Sequence, residues 1–316
     1  MSMNILREFD TFEVEDLGVC EEYVYDIEVE DNHNFFGNDI LVHNSCYFTF
    51  ADLIKKVYGT VDISKEEGEK FIDKVSNEKI EKVIAKGYDD LAKWTHAYEN
   101  QMAMKREKVN NRGLFIAKKR NILSTLNSEG VHYSTPKISV TGVEAVRSST
   151  PAICRKKMME VYEIIMSKTE DDLQQYVADF RDEFKALQPS EIGKVSGTND
   201  IELYTDKKTG SYMKGCPMHV RGCILYNNMI RKMGLEDKYD LIVSGDKIKF
   251  LYLKQPNIFH ENIISFPDIL PKEFDLENYI DFDKQFDKVF ISPIEIVLDS
   301  IGWDWEAKST IESFFG

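Results

Sequence analysis

Basic residues are nearly absent from the first 44 positions of this chain, where Arg7 stands alone against twelve Asp and Glu, a net charge of −11. The whole 316-residue chain carries −15, so residues 45–316 account for only −4. That step in charge divides the sequence into two pieces of different character. Also absent are a signal peptide and any apolar run long enough to cross a bilayer, so no membrane partner is expected. The five cysteines (Cys20, Cys46, Cys154, Cys216 and Cys223) are odd in number and form no Cys-x-x-Cys pair. That argues against a disulfide framework or a zinc site and for a reducing compartment. No internal repeat and no low-complexity linker interrupts the chain. Its 12% aromatic content is enough to build a core in one large or two ordinary domains after residue 44.

The acidic segment ends on reactive chemistry. Val24 to Val29 is β-rich, with Val24, Asp26 and Glu28 on one face and Tyr25, Ile27 and Val29 on the other. Asp31-Asn32 and Gly37-Asn38-Asp39 are turn sequences, and Ile40-Leu41-Val42 is a short apolar strand that delivers His43-Asn44. The Asn44 carboxamide is placed to attack its own backbone carbonyl, closing a succinimide and breaking the bond to Ser45. The Ser45 hydroxyl is placed to accept an upstream chain. A neutral amide is a poor nucleophile and an amide nitrogen a poor leaving group, so proton donors are needed nearby. His43, beside the scissile bond, can protonate the departing nitrogen or polarise the Asn44 carbonyl. His33, in the His-Asn-Phe step, can move a proton to or from that centre. Asp26 can orient or activate one of these groups, or Ser45, whose hydroxyl is weak at its free pKa.

Together these steps resemble the two C-terminal motif blocks of inteins. The first half of an intein carries an N-terminal Cys or Ser and a Thr-x-x-His-type motif, and this chain instead opens Met1-Ser2-Met3-Asn4. The resemblance therefore implies that residues 1–44 are the C-terminal half of a split intein, acting in trans with an N-terminal partner chain. An acidic half predicts a basic partner half and electrostatically steered association.

Beyond the junction, Ser45 to Phe50 reads as a strand that begins abruptly. Ser64 with Glu67 makes a capping box opening a helix whose Phe71, Ile72 and Val75 share one face. A second amphipathic run carries Ile80, Val83, Ile84, Tyr88, Leu91 and Ala92. Met102 to Glu107, Phe115 to Leu126 and Val131 to Val140 are expected to be strands of a sheet. Ser149-Thr150-Pro151 is a helix start, with Pro suited to the first turn. Net charge is +8 over residues 102–160, +5 over 205–260 and −9 over 261–316. Two basic bands in an acidic protein fit a groove that holds a polyanion while the outer surface repels it.

Ser45 onward, through Met104-Lys105-Arg106-Glu107, Ala117-Lys118-Lys119-Arg120, Ser148-Ser149-Thr150-Pro151, Cys216-Pro217-Met218-His219-Val220-Arg221-Gly222 and Tyr226-Asn227, resembles the C-terminal palm and thumb of T-even-like phage replicative DNA polymerases of family B. The resemblance runs through residues 45–316 in order. It implies a multi-domain α+β chain: a β-rich intein fragment (1–44), a partial α+β palm (45–146) and a mainly helical thumb (147–316) with a clamp-binding tail at about 308–316. Ser45 matches the Ser of the family's Asp-Thr-Asp-Ser turn, so the metal-binding aspartates, and with them the divalent Mg ions, are expected on the partner and not on this chain. Lys118, Lys119 and Arg120 match a Lys-x-Tyr-like element tracking primer-template DNA, with Asn121 in the Tyr place. Glu107 matches a palm carboxylate or pairs with a neighbour. Lys214, His219 and Arg221 match thumb contacts to phosphate or minor groove. Ile311, Phe314 and Phe315 share a face of one helical turn, like the sliding-clamp peptide of this family. The expected setting is the cytoplasm of an infected bacterial cell. The competing reading is a thumb subunit that docks non-covalently to its partner and keeps an inactive intein remnant.

Overall fold

The longest strands lie between residues 104 and 141. In the computed structural model, residues 19–20, 24–29, 34–37, 40–43, 45–117 and 119–307 are described, with side chains from residue 47 onward. The architecture is mixed α+β, and the chain divides into two compact units, Met1–Ser139 and Val140–Gly316.

The first unit contains β1 (Val19–Cys20), β2 (Val24–Val29), β3 (Asn34–Gly37), β4 (Ile40–His43) and β5 (Ser45–Thr49). Then come α1 (Ala51–Tyr58), α2 (Lys65–Val75), α3 (Glu81–Trp94), β6 (Met104–Ala117), β7 (Arg120–Ser128) and β8 (Val131–Thr141). Its main sheet runs β5-β2-β6-β7-β8, with β1 pairing on β6, while β3 and β4 form a separate hairpin. Both short strands expected before the junction are thus present. The helices cover this sheet: Phe50, Ile54, Ile72 and Tyr88 pack with Met104, Val109 and Leu126 in one buried cluster. The capping box is formed, with Ser64 Oγ accepting from the Glu67 amide and the Glu67 carboxylate accepting from the Ser64 amide. Helices α2 and α3 are joined without a break by one π-helical turn, Ser76–Ile80. Of the residues expected to face inward on α3, Tyr88 and Ala92 are buried but Val83 is 72% exposed.

Two strands differ from expectation: the one expected over Met102 to Glu107 begins at Met104 and runs on to Ala117 as β6. Phe115 to Leu126 is not a single strand, because a turn at Lys119 separates β6 from β7 and Phe115 stands opposite Asn121. Lys119 takes the left-handed conformation there, with φ 62°, a role the sequence does not advertise with Gly or Asn.

The second unit contains α4 (Ala152–Ser167), α5 (Glu170–Lys185), α6 (Pro189–Ile192), β9 (Lys194–Gly197), α7 (Ile201–Tyr204) and α8 (Met218–Met233). They are followed by β10 (Lys247–Tyr252), β11 (Ile263–Phe266), α9 (Phe282–Phe286) and α10 (Ser292–Asp299). Strands β11, β10 and β9 form an antiparallel sheet in that order. Phe180, Phe184, Phe286 and Phe290 join α5 to the C-terminal helices as a cluster of tilted and edge-on rings, with Phe180 and Phe290 centroids 4.8 Å apart. The helix expected near Thr150 begins at Ala152 behind Pro151. Thr150 does not cap it; its hydroxyl instead reaches the Glu144 carboxylate at 3.4 Å. None of the described helices is long and apolar enough to cross a membrane.

Candidate functional site

The junction residues sit on strands of the first unit. In the β3–β4 hairpin, Asn34 stands opposite His43, and Gly37 opposite Ile40. The hairpin thereby brings the residue that follows His33 beside the residue that precedes Asn44. Ser45 opens β5 opposite Glu28, and Asp26 stands opposite Tyr47 on one side and Lys108 on the other. Backbone pairing thus places Asp26 and Ser45 on neighbouring strands, while His43 ends β4 of the separate hairpin. His33 and Asn44 lie outside the described residues, as do Lys118 and the tail residues Ile311, Phe314 and Phe315.

The basic residues of the β6–β7 turn are accessible. Lys119 and Arg120 are exposed, as a backbone-tracking element requires. Asn121 turns the other way: it is buried and donates from Nδ2 to the Tyr47 hydroxyl at 3.2 Å. The Tyr47 ring meets Phe115 edge-on at 4.7 Å. Asn121 therefore anchors β7 to β5 and is not presented to a ligand. Glu107 pairs with Lys108 at 2.8 Å, while its backbone carbonyl accepts the Glu129 amide at 2.7 Å. Its neighbour Arg106 is also held internally, binding Asp73 at 2.7 Å and the Asn127 amide oxygen.

In the second unit, Lys214 is exposed on the loop leading into α8. Arg221, one turn into that helix, is engaged. It donates to the Asn262 amide oxygen at 2.7 Å, lies 3.7 Å from the Glu261 carboxylate and stacks 5.3 Å from the Tyr212 ring centroid. The Tyr212 hydroxyl is held above its ordinary pKa first by its hydrogen bond to Glu261. Arg221 thus braces a small hairpin in which Thr205 pairs with Tyr212 and the Met213 amide donates to the Tyr204 carbonyl at 2.9 Å. Asp206 closes the hairpin by accepting from the Lys208 and Thr209 amides at 2.8 and 2.9 Å. At its tip, Lys207 and Lys208 are exposed. No motif in the sequence singles out these two lysines, although the Asp206-to-Gly210 turn chemistry marks the loop that presents them.

Burial holds the His219 imidazole below its ordinary value of 6.5 and so favours its neutral form. Its backbone carbonyl accepts the Ser265 hydroxyl at 2.7 Å. The unfolded chain takes up a proton at this site before the folded one does. Stability is therefore retained above pH about 6.5 and declines as pH falls below it. Thermal melts between pH 8 and 5 are expected to show this decline, and His219→Gln is expected to flatten it.

Among the described side chains, burial raises the pKa of the Cys154, Cys216 and Cys223 thiols. Cys154, Cys216 and Cys223 are free, and burial pushes Cys154 up to about 12. Among the described residues, no three His, Cys, Asp or Glu side chains gather where a metal ion fits.

Comparison with known proteins finds DNA polymerases over most of the chain and a short match to another enzyme. It is 29% identical over 287 residues to the DNA-directed DNA polymerase of Enterobacteria phage T4, covering 86% of this chain and 31% of that polymerase. The DNA-directed DNA polymerase of Escherichia phage RB69 aligns at 28% over 287 residues, again covering 86% of this chain and 31% of the polymerase. A 45-residue stretch, 14% of the chain, is 49% identical to the glutamine–fructose-6-phosphate aminotransferase of Methanocaldococcus jannaschii and covers only 4% of that enzyme. No protein-family model matches. The chain is homologous to a segment of phage DNA-directed DNA polymerases and spans just under a third of their length.

Proposed function

We propose that this chain, homologous to a segment of phage DNA-directed DNA polymerases, is a precursor that trans-splices with an N-terminal partner to complete a replicative polymerase. The observation carrying this reading is a correspondence of sizes between the matched shares and the two pieces of the sequence. Residues 45–316 are 86% of the chain, the same share that the phage polymerases cover. The remaining 14% equals the share matched in an aminotransferase, a protein with no replicative role in its name. A stretch of that size shared with an aminotransferase suits a portable module, and residues 1–44 have the size and the closing His-Asn-Ser chemistry of one.

In this account the upstream chain first sits as a thioester or ester on the side chain of the partner's first intein residue. The Ser45 hydroxyl attacks that carbonyl, and the bond to the partner's side chain breaks. The departing sulfur or oxygen takes up the Ser45 proton, and the upstream chain is left as an ester on Ser45. The Asn44 carboxamide nitrogen then attacks the Asn44 carbonyl carbon, and the bond to the Ser45 nitrogen breaks. His43 supplies the proton that this nitrogen takes up, with His33 and Asp26 supporting transfer. The freed Ser45 amine attacks the ester, and an amide joins the two polymerase pieces. The cargo contributes palm strands, a DNA-gripping thumb and, at Ile311, Phe314 and Phe315, a sliding-clamp peptide. The partner contributes the carboxylates that hold Mg for nucleotidyl transfer.

DNA would be held without sequence reading by Lys119, Arg120, Lys207, Lys208 and Lys214. Replacing Lys207, Lys208 and Lys214 by alanine in the joined protein is expected to weaken primer-template binding. The salt slope is expected to shrink by roughly 0.9 per lost phosphate contact. Arg221→Ala is expected to weaken binding through the loosened hairpin while leaving that slope nearly unchanged; filter or fluorescence titrations from 50 to 200 mM salt would separate the two.

Primer extension tests the reading as a whole. The ligated product is expected to extend a primer and this chain alone to be inactive. Full extension by two unligated chains would favour non-covalent docking with the intein segment as a remnant.

A further inference from the structure

The order β5-β2-β6 in the main sheet has a consequence for splicing. Strand β2 belongs to the segment before the junction, whereas β5 starts with Ser45, the first residue after it. Among the described residues, the ladder from β5 to the rest of the sheet passes through β2: Val24 to Glu28 pair with Thr49 to Ser45, and Val24 to Val29 pair with Asn110 to Met104. Excision of residues 1–44 therefore takes a central strand out of the cargo's own sheet. Neighbouring strands lie about 4.8 Å apart, so β5 and β6 would be left facing each other across a gap of roughly 9.6 Å. They cannot simply close up. The residues that follow β5, Phe50 and Ile54, are buried in the same cluster as Met104 and Val109 of β6, which fixes both edges. Two bare edges leave unpaired amides and carbonyls in the middle of a packed layer.

The direction of the gap identifies what fits it. β2 runs antiparallel to both β5 and β6. A strand that enters Ser45 through a tight turn must also run antiparallel to β5, and so in the direction of β2. We infer that β2 is a placeholder, and that the slot between β5 and β6 is the docking site for the partner's strand that ligation joins to Ser45. Splicing then exchanges one strand for the other in a single sheet. The occupant is an extended segment long enough to pair with Ser45–Thr49, with apolar residues at the registers opposite Met104 and Val109, both of which are buried. This inference rests on the splicing reading above.

Hydrogen exchange followed by mass spectrometry tests it on the full chain and on the ligated product. In the full chain, amides of 24–29, 45–49 and 104–110 are expected to exchange slowly. A Tyr25→Pro/Glu28→Pro variant removes a donor on each side of β2, because alternate residues direct their amides to opposite neighbours. It is expected to speed exchange in 45–49 and 104–110 by about tenfold or more. Helix α5, in the other compact unit, should be unchanged and reports whether the variant is folded. After ligation, 45–49 and 104–110 are expected to remain slow while 24–29 in the excised fragment becomes fast. Ligation with 45–49 and 104–110 fast in the full chain, or unmoved by the prolines, would overturn the placeholder alone. Failure to find any ligated mass would overturn the splicing reading, and the placeholder with it.

Discussion

Asn44→Ala, combined with the N-terminal partner, is expected to give no ligated product. In the proposed chemistry the carboxamide nitrogen of Asn44 is the atom that forms the new bond when the succinimide closes. Alanine therefore removes the reactant and does not merely slow its reaction. His43→Ala acts on a different quantity: loss of a positioned proton donor is expected to slow the step by roughly 10²–10⁴-fold. Ser45→Ala gives a third signature, cleavage after Asn44 without joining, because the acceptor hydroxyl is gone. Intact-mass time courses of the three variants beside the unaltered chain distinguish these outcomes. Ligated product from Asn44→Ala at the unaltered rate would remove the assigned chemistry.

The second large effect is expected at Gly222, in the first turns of α8. A Cβ added there would lie 2.5 Å from Ser265 Oγ, 2.7 Å from the Ser265 nitrogen and 3.1 Å from the Ile264 carbonyl carbon. Two of those three atoms are backbone of β11, so no rotamer change relieves them. Alanine gains about 1 kcal/mol of helix propensity over glycine, but forced separation of packed elements costs about 1–3 kcal/mol, occasionally more. With two backbone contacts this short, the cost is expected to win. Gly222→Ala is expected to lower the melting midpoint of the second unit by several degrees. It is also expected to weaken DNA binding, since α8 carries Arg221, which braces the Lys207-Lys208 hairpin. Gly222→Ala/Ser265→Gly is expected to recover only part of the loss, because the Ser265 nitrogen remains. An unchanged or raised midpoint in Gly222→Ala would contradict this packing account.

Features set by neighbours in sequence were legible before the fold was seen. The Ser64-Glu67 capping box needs only four residues and is formed as expected. The strands over Val24–Val29 and Ile40–His43 follow from their β-branched and aromatic content. Features set by distant partners were not legible. Arg221 looked like a phosphate contact, yet Glu261 and Asn262, forty residues further on, draw its guanidinium inward. Asn121 sits in a basic run but turns inward to Tyr47, 74 positions earlier. The turn at Lys119 was hidden because a lysine takes the left-handed backbone where Gly or Asn is usual. The π-helical turn at Ser76–Ile80 merges two amphipathic runs into one continuous helix, and a 3.6-residue period does not signal it. The position of β2 between β5 and β6 is likewise a matter of long-range pairing. Local pattern specifies that a strand forms, not which edges it joins.

The most direct measurement of the central claim is the intact mass of the products when this chain is combined with its N-terminal partner half. The account predicts a new species in which residues 45–316 are joined to the partner's polymerase piece, with residues 1–44 released as a separate fragment ending in the Asn44 succinimide. Two chains of unchanged mass that purify together would contradict it and leave a non-covalent polymerase subunit in its place.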